Sequence, residues 1–308
     1  MEQRQSYGRH MWSIWSPLLI KFGISIILSM MFAFVLIWRY LAGQEAAGDA
    51  QALVQFMNNA DKMQEMSAQV LKWAVDLAVP MEGAAALITI PVFLFLMHRD
   101  RVKEKAGAGE ISVKRAPFYK YPLIIGISAA MCLGLNNLIV LSNLSSYSTS
   151  YEDTMEMLYQ PSLWMQIVCL GILMPVCEEL AYRGLMYRRM RMQMKFLPAA
   201  LYSSVIFAIT HGNLVQSLYG FAMGMMLSYV YEKYGSVLAP AAGHITANIL
   251  SVAGTYFHWF DWMLKEGIRI GGVTVLCAAA ASAIYVLMQR MENAFPETLK
   301  ASGSHLAG

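Results

Sequence analysis

Apolar runs recur along the chain at about 17–38, 79–97, 121–141, 163–187, 197–211, 214–231, 237–255 and 270–288. Apart from the short fifth, each approaches the roughly 20 residues a helix needs to cross a bilayer. Runs that are apolar on every side predict helices surrounded by lipid or protein rather than surface helices with one wet face. Over 41–78 the pattern changes, with Leu53, Phe56, Met57, Met63, Met66, Val70 and Leu71 recurring at helical spacing among polar residues. That predicts an amphipathic outer segment lying on the membrane surface, with a substrate-facing lid as its alternative role. The expected fold class is therefore all-α, a polytopic membrane protein of about eight transmembrane helices.

Composition agrees: the 308 residues are 57% hydrophobic and 14% charged, and the mean hydropathy of +0.44 lies outside the soluble globular range. The first run is long, ends in Trp38-Arg39-Tyr40 and lacks a small-residue cleavage site, so a retained helix is expected rather than a signal peptide. Arg4 and Arg9 precede it; Arg99, Arg101, Lys103, Lys105, Lys114, Arg115 and Lys120 lie in the 98–120 loop; Arg188, Arg189, Arg191 and Lys195 follow the fourth run. The 142–162 loop has Glu152, Asp153 and Glu156 but no Lys or Arg. The positive-inside rule then puts both termini in the cytoplasm, as an even number of crossings of the cell membrane requires. The net charge of +3 is accounted for by those inner loops, which leaves a nucleic-acid partner without support.

Residues 1–120 are expected to form a two-helix membrane segment with its outer stretch and basic loop, 121–290 the membrane core, and 291–308 a cytoplasmic tail. The divide falls in the charged 98–120 loop, with its Gly107 and Gly109. Cys132, Cys169, Cys177 and Cys277 all lie in apolar runs without C-x-x-C spacing, as small core residues do. Gly220-x-x-x-Gly224 predicts close approach of two helices within the chain, and Asn136 and Asn137 predict interhelical hydrogen bonds.

Candidate chemistry is concentrated in three apolar runs: Glu178-Glu179-x-x-x-Arg183 in the fourth, Phe207-x-x-x-His211 in the fifth and His244-x-x-x-Asn248 in the seventh. A carboxylate at membrane depth costs about 2.5 kcal/mol or more, so a chain that keeps two uses them. Residues four apart share a helix face, so Glu179 pairs with Arg183 while Glu178, about 100° around the helix, points elsewhere with no local cation. At about 1.5 Å per residue Glu178 is some 15 Å from Arg188, and His244 and Asn248 are about 10 and 16 Å past Val237. His211 comes out deeper, at roughly 21 Å past Leu197, unless the fifth and sixth runs turn at Gly212-Asn213 inside the protein. Pro175 removes the hydrogen bond to the carbonyl of Gly171 and predicts a kink that admits water beside the carboxylates. One carboxylate can then take a proton from water while imidazole and amide polarise a carbonyl.

Each piece also has a plainer account. Glu179 with Arg183 is the usual form of a structural ion pair, and a lone intramembrane His or Asn usually ties helices together. Proteolysis and solute or ion translocation stay open on the residues alone, as does an adaptor that binds partner helices. Polar motifs are found in the fourth to seventh runs and not in the first three, whereas transporters often repeat theirs in both halves.

In order, Glu178-Glu179-Leu-Ala-Tyr-Arg183, Phe207-Ala-Ile-Thr-His211 and His244-Ile-Thr-Ala-Asn248 resemble the motifs of the CPBP family, which holds the type II CAAX prenyl proteases and bacteriocin-processing or abortive-infection membrane proteins. The Arg183-Gly184 step and the Tyr234-to-Pro240 approach to His244 are similar too. The resemblance covers about residues 160–255 and implies an intramembrane glutamic endopeptidase. In it Glu178 activates water with His211, His244 and Asn248 support the oxyanion, and Glu179, Arg183 and Phe207 organise the site. It implies no metal; two His and carboxylates suit zinc, but H-E-x-x-H is absent. The implied substrate is a membrane-associated peptide or protein, of a class and processing role the sequence leaves open, as it does the oligomeric state. Ser304-His-Leu-Ala-Gly308 is no prenylation signal. Activity is expected to need ionised Glu178 and to fall in acid.

Overall fold

The computed structural model describes residues 2–44, 49–107, 113–144 and 148–295, and among them there is no strand. Helices α1 (Glu2–Gly43), α2 (Ala50–Met57), α3 (Ala60–Asp76), α4 (Ala78–Gly107) and α5 (Tyr121–Leu141) lead into α6 (Thr149–Tyr159) and α7 (Leu163–Arg191). Then come α8 (Phe196–Ile209), α9 (Leu214–Tyr234), α10 (Leu238–Tyr256), α11 (Trp259–Leu264) and α12 (Gly267–Gln289). Every apolar run is helical, as the hydropathy pattern requires. Five helices, α1, α4, α5, α7 and α12, are long and apolar enough to cross a membrane. The figure of eight thus counts apolar runs, whereas among the described residues five helices meet both the length and the composition of a span. At 14 residues, α8 reaches only about 21 Å, short of the ~30 Å hydrocarbon core.

Two apolar cores build the membrane part. One surrounds α7, with Phe93 of α4, Tyr182 and Tyr187 of α7, Phe207 of α8 and Tyr231 of α9, and with Ile14 and Leu18 of α1. The other joins α5, α9, α10 and α12 through Ile124, Cys132, Leu227, Ala247 and Met288. The four cysteines are buried and free, in line with their expected core role. Close approach of α8 and α9 depends on Gly224: a Cβ there would lie 3.0 Å from Ser204 Cβ and 3.3 Å from an Arg183 terminal nitrogen. The small-residue pair thus packs within the chain, as expected.

Three features depart from the sequence reading. First, 98–107 is not loop but the end of α4, and the basic cluster is held in ion pairs: Arg188 with Glu104 at 2.6 Å, Arg189 with Asp100 at 2.7 Å and Arg191 with Glu232 at 2.8 Å. Gly109 lies outside the described residues. Second, the outer stretch is a pair of helices, α2 and α3, capped by Asp49 and Asn59. It folds against the C-terminal end of α1, with Tyr40 on Phe56 and Arg39 over Trp73 at 4.8 Å. Third, the chain just past α12 is packed, not free: Met291, Ala294 and Phe295 are buried, and Ala294 donates its N–H to the Glu232 carbonyl at 2.8 Å. Residues 296–308 of the expected tail lie outside the described residues. Of the amides expected to tie helices, Asn137 reaches Met263 Sδ at 3.8 Å, while Asn136 bonds the Cys132 carbonyl of its own helix.

Candidate active site

The carboxylate pair sits in the middle of α7, where a short α-helical stretch, Met174–Glu179, separates two wide-turn π segments, Gln166–Leu173 and Leu180–Tyr187. In a π turn each N–H reaches five residues back, and the Met174 N–H bonds the Cys169 carbonyl accordingly. The next N–H would belong to Pro175, which has none. The carbonyl that loses its partner in this register is therefore Leu170, not the Gly171 that α-helical spacing predicts. Asn248 supplies the missing donor, with Nδ2 at 2.8 Å from the Leu170 oxygen. The helix widens on both sides of the proline, and an amide from α10 is stitched into it.

Glu179 and Arg183 are fully buried and paired at 2.8 Å, four residues apart as the sequence indicates. Arg183 also donates to the Gly224 carbonyl at 2.9 Å and lies over the face of Phe207, 4.7 Å from its centroid. His244 reaches Glu179 from α10, Nδ1 to Oε1 at 2.9 Å. A carboxylate can only accept, so Nδ1 carries the proton and Nε2 is left pointing to Glu178 Oε2, 3.9 Å away. His211 is fixed in the same way: its Nδ1 donates to the Phe207 carbonyl at 2.8 Å, which leaves its Nε2 as the basic nitrogen of the neutral ring. Both imidazoles meet the edge of one aromatic ring, with the His211 centroid 4.7 Å and the His244 centroid 5.7 Å from that of Phe207. Tyr182 packs on the same ring at 4.9 Å and is hydrogen-bonded to Thr210 at 2.7 Å.

The expectation that Glu178 has no cation is overturned. Lys21 of α1 places its ammonium 3.1 Å from Glu178 Oε1. Above it Ser25 contacts Glu82 of α4 at 3.3 Å, and Lys21, Ser25, Glu82, Thr89 and Cys177 line a cavity of about 10 Å³, room for one water. Polar groups are thus present in the first two membrane helices, contrary to the reading that only later ones carry them. Their signal was in the sequence: a lysine inside the first apolar run and a glutamate inside the second are costly at membrane depth. They were missed because no local spacing links residues 21 and 82 to residue 178.

The turn foreseen at Gly212-Asn213 is present. Gly212 adopts φ +81°, Asn213 is buried and caps α9 by accepting from the Gln216 N–H at 2.9 Å. His211 is thereby held at the end of the short α8 beside the other groups. Of the seven residues named from sequence, Glu178, Glu179, Arg183, Phe207, His211 and His244 form one cluster. Asn248 borders it but spends one amide N–H on α7.

The Lys21 ammonium holds one oxygen of Glu178, Arg183 one oxygen of Glu179, and both Nδ1 positions are engaged, so a metal cation here would meet two positive groups. Among the described residues no group of three or more His, Cys, Asp or Glu side chains is placed to hold a metal ion.

An all-α, multi-pass membrane protein with buried acid and imidazole groups drawn from separate helices is the class that fold and site define. Residues 160–250 match the family described as type II CAAX prenyl endopeptidase Rce1-like. The chain is also similar to "Putative membrane peptidase YdiL" of Bacillus subtilis (strain 168), with 30% identity over 88 residues, which is 29% of this chain and 36% of that protein. The match thus spans about a third of the relative's length. No solved structure matches. Over residues 160–250 both similarities agree with the CPBP resemblance carried by the three motifs.

Proposed function

We propose that the protein is an intramembrane endopeptidase that hydrolyses a peptide bond of a membrane-associated protein or peptide by carboxylate-activated water, without a metal. The observation that carries this reading is one cluster in which the His244 imidazole faces Glu178 at 3.9 Å and both imidazoles meet the Phe207 ring, among apolar helices where each such group is expensive to keep.

Glu178 takes a proton from water as the water oxygen attacks the carbonyl carbon. The His211 Nε2 lone pair supports that transfer. Negative charge then develops on the carbonyl oxygen; a proton on His244 Nε2 would let the ring donate to it, while Glu179 holds the ring through Nδ1. Collapse breaks the C–N bond, and the proton held by Glu178 passes to the departing amine, so the carboxylate is restored. Asn248 retains a second amide N–H with which to assist the oxyanion. Arg183 and Phe207 act on the reaction through the groups they hold.

The substrate is a chain segment that can reach a site about 15 Å from the inner boundary, counted from Arg188. Both termini and the basic end of α7 are assigned to the cytoplasmic side by charge. The test uses purified protein in proteoliposomes with quenched-fluorescent peptides that carry a transmembrane segment followed by varied residues. Glu178→Gln preserves shape but removes the base, so cleavage should fall at least about 100-fold while the protein still folds. Full activity in that variant rules the reading out.

A further inference from the structure

Lys21 lies in α1, far outside residues 160–250, yet it makes the closest contact to the carboxylate on which the proposed hydrolysis depends. Ile14, Leu18, Lys21 and Ser25 fall at intervals of four, three and four residues, which puts them on one face of α1. Ile14 and Leu18 are buried in the core around α7, so this is the face turned to the protein. The span otherwise faces outward, with exposed Phe22, Ile26, Ile27 and Met30. Arg189 of α7 bonds the Ser13 carbonyl and Ser16 of α1, which sets the two helices side by side; Lys21 lies about 12 Å past Ser13 and Glu178 about 16 Å from Arg189, a difference the two side chains span.

The charges of the site pair off: Lys21 with Glu178, Arg183 with Glu179. His244 lies between the two acids, hydrogen-bonded to Glu179 and only facing Glu178. Without Lys21, Glu178 would be a buried anion whose nearest alternative counter-ion is His244. Its charge would then either be lost to protonation or pull the imidazole away from Glu179. Both outcomes damage the proposed reaction: the first removes the base, the second the oxyanion donor.

Resting on the hydrolase reading, we propose that Lys21 is a positioning residue of the active site, which keeps Glu178 a carboxylate, holds Oε1 and leaves Oε2 to water and His244. The N-terminal helix is then the fourth wall of the site and not only a membrane anchor. Lys21 also lines the one-water cavity with Ser25 and Glu82, so the ammonium that holds Glu178 borders a place where water can rest.

The test compares wild type, Glu178→Gln, Lys21→Met and Lys21→Arg in proteoliposomes, with the transmembrane peptide that wild type cuts fastest. Lys21→Met should lower kcat by at least about 10-fold with KM within about 3-fold, because the group acts on the base and not on substrate affinity. Lys21→Arg, which keeps the charge, should recover most of kcat. Wild-type or raised kcat in Lys21→Met overturns the proposal, as does a loss confined to KM. So does equal loss in both Lys21 variants. Full cleavage by Glu178→Gln instead strikes the hydrolase reading beneath it. Thermal unfolding supplies a readout that needs no cleavage: the cost of Lys21→Met should largely vanish in a Glu178→Gln background, whereas additive losses would contradict the coupling.

Discussion

At the scale of single residues, the site separates groups that do chemistry from groups that hold them. Arg183 belongs to the second kind. It joins Glu179 of its own helix, a backbone carbonyl of α9 and the face of Phe207 on α8. Arg183→Leu would leave Glu179 as a buried, unpaired anion, and breaking such pairs costs roughly 3–5 kcal/mol. Thermal unfolding in detergent should show the larger loss for Arg183→Leu, whose partner is fully buried, and a smaller one for Glu178→Gln, whose partner Lys21 is 18% exposed; equal losses would mean that Glu178 is as structural as Arg183. Glu179–Arg183 could be read from sequence because both partners lie one turn apart on one helix. The Lys21–Glu178 pair could not, since it depends on how α1 packs against α7.

At the scale of elements, α7 shows why a local rule failed. Proline was expected to orphan the carbonyl four residues back, which holds only for an α-helix. The π register moves the orphan to Leu170, and Asn248 satisfies it. Asn248→Ala should therefore destabilise by about 1–3 kcal/mol, the cost of an unsatisfied buried carbonyl. Pro175→Ala restores a backbone N–H and should recover part of that loss in the double variant. An unchanged loss would show that Asn248 acts otherwise. Helices α8 and α9 make a second case: Gly224→Val should push Ser204 and Arg183 aside and cost about 1–3 kcal/mol of overpacking, read as a lowered midpoint of thermal unfolding. An undiminished midpoint would mean that the two helices can part freely. This close approach was legible in the G-x-x-x-G spacing, because small residues at helical intervals have few other uses in lipid.

At the scale of the whole molecule, hydropathy foretold every apolar helix, and charge gave an orientation. What it did not disclose was how the N-terminal helices join the motif-bearing segment. The segment at 160–250 contributes two acids and two imidazoles, but the cation on Glu178 comes from α1, and the cavity that this lysine borders is walled by α1, α4 and α7. The boundary drawn at residue 120 therefore separates chain segments, while the site draws on both sides of it. Topology is checked by reporter fusions or cysteine labelling: positions 4 and 195 should be reached from the cytoplasm and position 153 from outside. Residues 4 and 153 on one side would contradict the positive-inside assignment.

The most direct trial of the central claim is mass spectrometry of reconstituted membranes incubated in ¹⁸O-water, wild type beside Glu178→Gln. Peptides with ¹⁸O in a new C-terminal carboxyl group should appear with wild type and be absent with the variant. Labelled termini in equal yield from both proteins would contradict water activation by Glu178.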